Sequence, residues 1–367
     1  MIPVYEPVLR KNEVKYVMDC FKKNWISAFG EYNKKLEKSF ADYCGVKYGI
    51  TVTSGTAALH IAVAALKIGK GDEVIIPDFT MIAPALATVY QGATPVFVDA
   101  DPKTWTIDTQ KIEEKITKKT KAIIPVHIYG HPCNMDPIIK LAKKYNLFII
   151  EDAAEAHGAL YNGKKVGSLG NISAFSFYTN KVITTGEGGI VVTDNKKLAE
   201  RADWLRNFCF DKDRRYIHEE IGFKYPLTNL QAAIGLAQFE YIEEIIKRKI
   251  EIAHRYNKLL GKTPGVVLPY EAKNVRNIYW MYGILIEDEF GVSRDRVKEL
   301  LYEKGIDSRF FFTGMHKQPP FKNISGKFPV TENLEKKGIY LPCSVNLSDE
   351  QMEYICRCIS NIQKGIK

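Results

Sequence analysis

Long apolar stretches are missing from this chain of 367 residues: no run approaches the roughly 18–20 apolar residues that span a bilayer. A membrane role is therefore not expected. The opening residues, MIPVYEPVLRKNEVKYV, contain neither the apolar core nor the cleavage site of a secretion signal, so a cytoplasmic location is expected. Cysteine is sparse, with Cys20, Cys44, Cys133, Cys209, Cys343, Cys356 and Cys358 scattered along the chain. Only Cys356 and Cys358 stand close together, and a C-x-C pair without other nearby ligands is poor metal evidence; reduced thiols and no metal are expected. Clusters of Arg and Lys are lacking too. The net charge is +9, but acids lie between the lysines, so nucleic-acid binding is not expected, while an anionic substrate is compatible with the charge.

What is present is an alternation. GITVT, EVIIP (73–77), PVFVD (95–99), AIIPVH (122–127), LFIIED (147–152), AFSFY (174–178) and GIVVT (189–193) read as strands. Their consecutive apolar residues suit strands buried on both faces. Helical patterns such as TAALHIAVAALKI (56–68) and MDPIIKLAKKYN (135–146) lie between them. This order predicts an α/β fold with a mostly parallel sheet flanked by helices, and sites beyond the carboxyl ends of its strands. Residues 227–260 read as one long helix leading to a second unit. The tail mixes a strand-like IYWMYGILI (278–286) with helical patterns at 293–305 and 349–363, giving a smaller C-terminal α/β domain. The expected division is 1–245, an N-terminal segment with the large domain, and 246–367, the smaller one.

Four segments carry candidate chemistry. Ser54-Gly55-Thr56 opens a helix after a strand, where free backbone N–H groups bind phosphate and glycine permits close approach; an ordinary N-cap has the same look. Glu151-Asp152-Ala153-Ala154-Glu155-Ala156-His157-Gly158 follows a strong strand. A carboxylate there can hold a protonated ring nitrogen, ligate a metal or cap a helix. Lys181 stands between the strand ending SFY and the glycine-rich TTGEGG, where partial burial would favour a neutral, nucleophilic amine over an ordinary solvated lysine. Gly222-Phe223-Lys224-Tyr225-Pro226 enters the long helix, and by itself suggests no more than a capped start.

In order and spacing these segments, together with IPVYEP, NWISAFG (24–30), PDFTMIAPALA (77–87), GATPVFVDADPKTWTID (92–108), VHIYGHPCNMD (126–136), TNLQAAIGLAQ and SRFFFTGMHKQPPF (308–321), resemble the DegT/DnrJ/EryC1/StrS family of sugar aminotransferases nearly end to end. The resemblance implies a fold-type-I enzyme dependent on pyridoxal 5'-phosphate (PLP). Lys181 matches the lysine that binds the cofactor as a Schiff base and shuttles the proton. Asp152 matches the acid on the pyridine nitrogen, and Gly55, Thr56 and Ser176 match the phosphate cradle. Glu155 stands where Gln often contacts the phenolic oxygen, and Met81 where an aromatic ring often stacks, with the small Ala154 beneath the other face. Lys224 stands where many members carry an Asn that reaches the phosphate across a dimer interface, so a homodimer with shared sites is implied. Trp25, Ser27, His157, Arg309 and His316, with Gln318, are the expected substrate contacts. Glutamate as amino donor and a GDP-linked 4-keto-6-deoxymannose as acceptor are implied. A dTDP- or UDP-linked 4-keto-6-deoxyglucose is the alternative. A sugar dehydratase of the same fold would carry His in place of Lys181, and a non-catalytic regulatory relative would not need the complete Lys181, Asp152 and phosphate set.

Overall fold

The computed structural model describes residues 1–214 and 216–365. In chain order the elements of the first part are α1 (Lys11–Lys22), α2 (Glu31–Cys44), β1 (Tyr48–Val52), α3 (Gly55–Ala65), β2 (Glu73–Pro77), α4 (Ala83–Tyr90), β3 (Thr94–Val98), β4 (Thr120–Ile123), α5 (Met135–Tyr145), β5 (Phe148–Asp152), the short β6 (Leu160–Tyr161) and β7 (Lys164–Lys165), β8 (Ile172–Ser176), β9 (Gly189–Thr193) and α6 (Lys196–Arg206). Seven strands form one sheet in the order β1-β9-β8-β5-β4-β2-β3. Only β9 runs against the others, pairing antiparallel with both β8 and β1. The expected mostly parallel sheet is present, and the strand boundaries deviate by only a few residues.

Alternation along the strands sorts the core into two faces. Val74, Ile76, Ala122 and Ile150 pack with α3, α4 and α6 on one face. Ile75, Ile123 and Ile149 meet α5 on the other, where Phe175 and Ile190 also pack with α2. Helix α3 is buried almost all round, which explains its Ala-rich sequence without a polar stripe.

The single helix expected over 227–260 is two: α7 (Asn229–Phe239) and α8 (Ile242–Leu260). The break falls at Tyr241, with φ −113° and ψ 10°. Neighbouring Glu240 is engaged by Asn12 and Tyr16 of α1. The two helices also answer to different partners: α7 packs on α1 and α2, while α8 packs on the C-terminal unit. The expected division at 245/246 lies inside α8.

The remaining elements are β10 (Val266–Val267), β11 (Val275–Arg276), β12 (Tyr282–Ile286), α9 (Arg294–Glu303), β13 (Arg309–Phe310), α10 (Pro329–Lys337), β14 (Gly338–Leu341) and α11 (Asp349–Gln363). β10, β12, β14 and β13 form a four-stranded sheet in that order, touched by α9 and α10, while α11 packs on α8 and α9; β11 pairs instead with β6. The strand expected over 278–286 is confined to 282–286. Residues 278–281 turn instead, Tyr279 adopting φ 47°. They press on Gly130, where a Cβ would lie 2.9 Å from the amide nitrogens of Tyr279 and Trp280. This close approach needs glycine and aims Trp280 at the large sheet. All seven cysteines are free and buried, and among the described residues no helix is long and apolar enough to cross a membrane.

Candidate active site

Strands β1, β5 and β8 run parallel, so the loops at their carboxyl ends converge. Between them lies a cavity of about 310 Å³, lined by Gly55, Thr56, Met81, Asp152, Glu155, Ser176 and Lys181 among others. Ser54 caps α3, its Oγ accepting from the Ala57 amide at 3.0 Å. The amides of Gly55 and Thr56 open the helix on the cavity side, where the helix dipole adds positive potential. A Cβ at Gly55 would lie 2.7 Å from the Ser176 Cβ, so glycine lets β8 press against the helix start.

Neighbouring acids at the end of β5 have opposite fates because successive strand residues face opposite sides. Glu151 turns away from the cavity. Its carboxylate accepts from the amides of Gly167, Leu169 and Gly170, from Ser173 Oγ, and from His127 Nε2. Burial opposes its charge, but these donors hold its pKa below the usual carboxylate value. Asp152 faces the cavity, where its carboxylate accepts only a 3.1 Å bond from the Ala154 amide among the described residues, and it is pushed up by burial.

Lys181 is 9% exposed. Burial lowers its pKa, outweighing the opposing pull of Glu155 and Asp152. Its Nζ lies 3.6 Å from Glu155 Oε1 and 3.6 Å from the ring centre of Trp280. Glu155 is itself buried, accepts from the Tyr129 amide at 2.8 Å, and is pushed up by burial to about 7. The site thus joins an amine of reduced basicity, two acids that resist ionisation and a helix N-terminus.

The other expected residues lie elsewhere in the subunit. His157 is fully buried among Phe40, Phe175 and Phe177 and is pushed down to about 3 by burial. It is a core side chain that cannot meet a substrate in the cavity. His316 is tied by Nδ1 to the buried Asp78 at 2.7 Å and stacks on Phe328, bracing the loop that carries Thr80 and Met81 rather than lining the cavity. Arg309 is exposed and paired with Asp307 at 3.2 Å. Trp25 and Ser27 sit on an exposed lip, where Trp25 Nε1 donates to the Ala28 carbonyl and the Ser27 carbonyl accepts from the Asn229 amide. Gln318 ends a turn within the C-terminal unit. Lys224 is exposed, 5.3 Å from the Phe208 ring centre, and does not line the cavity of its own subunit.

Residues not anticipated complete the wall: Tyr178, Asn180, Glu187, Trp280 and Phe312. Tyr178 ends the strand before Lys181, Asn180 is its neighbour, Glu187 lies in TTGEGG and Phe312 in SRFFFTGMHKQPPF, so each had an available signal in sequence. Trp280 arrives from IYWMYGILI, which read only as a strand, and carried none.

The DegT/DnrJ/EryC1/StrS aminotransferase family model matches residues 7–360. The GDP-perosamine synthase of Escherichia coli O157:H7 is 47% identical over 359 residues, 98% of each chain. That of Caulobacter vibrioides is 43% identical over 363 residues, again 98% of each. The structure of Spr1654 from Streptococcus pneumoniae in its PLP-form superposes with a TM-score of 0.93 at 27% identity, covering 100% of this chain and 99% of that one. Family extent, full-length relatives and fold agree with the geometry of the cavity: the chain belongs to the DegT/DnrJ/EryC1/StrS aminotransferase family.

Proposed function

We propose that this aminotransferase uses PLP to move an amino group from L-glutamate to C4 of GDP-linked 4-keto-6-deoxymannose, forming GDP-perosamine. The observation that carries the reading is the buried Lys181 amine facing one cavity with Asp152 and the start of α3. The residues fit the cofactor. The amides of Gly55 and Thr56, with the hydroxyls of Thr56 and Ser176, suit a phosphate. The under-bonded Asp152 suits a protonated ring nitrogen. Met81 and Ala154 offer apolar surface to a flat ring, the thioether packing where many relatives carry an aromatic. PLP supplies an electron sink for the carbon being aminated.

Lys181 would then perform the proton transfers: its Nζ, made less basic by burial, would take a proton from one carbon and return it to another. Asp152 would hold the ring nitrogen in its charged form, and Glu155 would meet the phenolic oxygen. Trp280 and Phe312 exclude water from the amine. The identity of the nucleotide sugar rests on the two GDP-perosamine synthases cited above.

The charge of the cavity argues for a second subunit. Among the described residues its acids are Asp152, Glu155 and Glu187, against one basic side chain, Lys181. A phosphate cofactor and a nucleotide diphosphate both need positive charge that this lining does not supply. We read Lys224, exposed on its own subunit, as the cation delivered to the partner's site in a symmetric, cytoplasmic homodimer. The direct test presents GDP-, dTDP- and UDP-linked 4-keto-6-deoxysugars with glutamate and ranks kcat/KM. The GDP-mannose derivative should lead. A dTDP- or UDP-glucose derivative in first place would overturn the acceptor, and no 2-oxoglutarate from any of them would overturn the reaction.

A further inference from the structure

Two successive carbonyls on the turn that carries Lys181 are held by aromatic side chains from distant parts of the chain. The Tyr5 hydroxyl donates to the Lys181 carbonyl at 2.8 Å. The Trp280 indole N–H donates to the Asn180 carbonyl at 2.7 Å. The segment bearing Tyr5 is fastened to the C-terminal unit on both sides. The Ile2 amide donates to the Gly305 carbonyl at 2.7 Å, and the Asp307 amide donates to the Ile2 carbonyl at 2.9 Å. The Cys343 amide donates to the Val4 carbonyl at 3.0 Å, and the Glu6 amide donates to Ser344 Oγ at 2.5 Å.

We propose that Tyr5 is a positioning residue for Lys181, through which the C-terminal unit sets the direction of the reacting amine. The inference rests on the reading of Lys181 as that amine. A hydrogen bond at the carbonyl of residue 181 limits rotation of its peptide, and the four-carbon stem amplifies any rotation at Nζ. Small displacements of a reacting group cost far more rate than binding. Burial raises the phenol's pKa, so it remains a donor across the working pH range. Trp280 restrains the neighbouring peptide while its ring face meets Nζ, so the two aromatics fix both ends of the same lysine.

The test compares Tyr5→Phe with Tyr282→Phe in the cofactor-loaded enzyme. Tyr282 is buried, where Tyr5 is half-buried, and its hydroxyl donates to Asn257 Oδ1 at 2.7 Å, but it does not touch the lysine turn. Tyr5→Phe should lower kcat by about tenfold while KM for glutamate and acceptor stays within about twofold. It should also move the pH midpoint of the bound cofactor's visible absorbance. Tyr282→Phe should lower Tm and leave that midpoint in place. Ser344→Ala, which keeps the Tyr5 hydroxyl but cuts one anchor of its segment, should move kcat and midpoint the same way by less, and covers the case of a poorly folding Tyr5→Phe. Wild-type kcat and midpoint in both Tyr5→Phe and Ser344→Ala overturn the positioning role. A wild-type protein whose absorbance ignores glutamate overturns the reading of Lys181 itself, and this role with it.

Discussion

Lys181 and Lys249 are both buried, and burial lowers the pKa of each, yet the space and the charges around them differ. Lys181 opens on a cavity with two acids and a helix N-terminus. Lys249, on α8, donates to the Cys343 carbonyl at 3.0 Å and stands 5.6 Å from the Tyr5 ring centre. Among the described residues no carboxylate lies within ion-pair distance of it. Desolvation makes an amine less basic, but reactivity also needs space for a substrate and groups that stabilise developing charge. Lys249 has only the first of these.

Removing each amine should separate the two environments most sharply. Lys181→Ala is expected to lower turnover by roughly 10⁴-fold or more while the far-ultraviolet spectrum is unchanged, because among the described residues no second amine lines the cavity. Turnover near that of the wild type would erase the distinction. Asp152→Asn should cost about 10²- to 10³-fold in kcat, the scale of other electrostatic deletions in active sites. Single-turnover rates of both half-reactions measure this, and unchanged rates would show that the acid of the Lys181 environment is not engaged.

Lys224 extends the comparison to a lysine outside both environments. Lys181→Ala mixed with an impaired Lys224→Ala, with subunit exchange verified, should regain roughly a quarter of wild-type activity from heterodimers with one intact site. Verified exchange without recovery would confine the site to one subunit. Lys249→Met should instead stabilise the fold by about 1 kcal/mol at pH 7, since a buried amine bonded to the Cys343 carbonyl and sulfur is replaced by a thioether of similar length. The folded pKa lies below 10.5, so the unfolded chain binds the extra proton and the wild-type deficit should shrink as pH rises towards 10.5. A gain that does not vary with pH would mean that Lys249 is not titrating as a buried amine.

A stability effect within the cavity concerns Glu155, raised to about 7 from 4.5. Between those values the folded protein binds more protons than the unfolded chain, so this group costs stability as pH rises through the window. In cofactor-free protein the melting temperature of Glu155→Gln relative to wild type should therefore climb from pH 5 to pH 7. A flat difference would mean that the carboxyl is already ionised at pH 5.

The C-terminal unit was less legible than the large sheet because its contribution is not periodic. EVIIP and GIVVT gave their strands to the residue, since apolar β-branched runs have few other uses in a chain of this composition. The break at Tyr241 was hidden because apolar residues continue at helical spacing on both sides of it, although they face different partners. His157 and His316 sit within segments expected near a site, yet one is enclosed by phenylalanines and the other is held by Asp78, contacts made by residues far away in sequence.

The sequence by itself determined the α/β order, the glycine-opened helix at Gly55, the acid ending β5 and the lysine before TTGEGG, because each depends on neighbours within a few residues. Only the tertiary structure decided that Asp152 faces the cavity while Glu151 is saturated behind it, that Glu155 comes within 3.6 Å of Lys181, and that Tyr5 and Trp280 grip the lysine turn. Those outcomes depend on burial and on contacts between segments from 16 residues apart, as for Gly167 and Glu151, to 176 apart, as for Tyr5 and Lys181, where desolvation and packing act on groups that local pattern leaves equivalent.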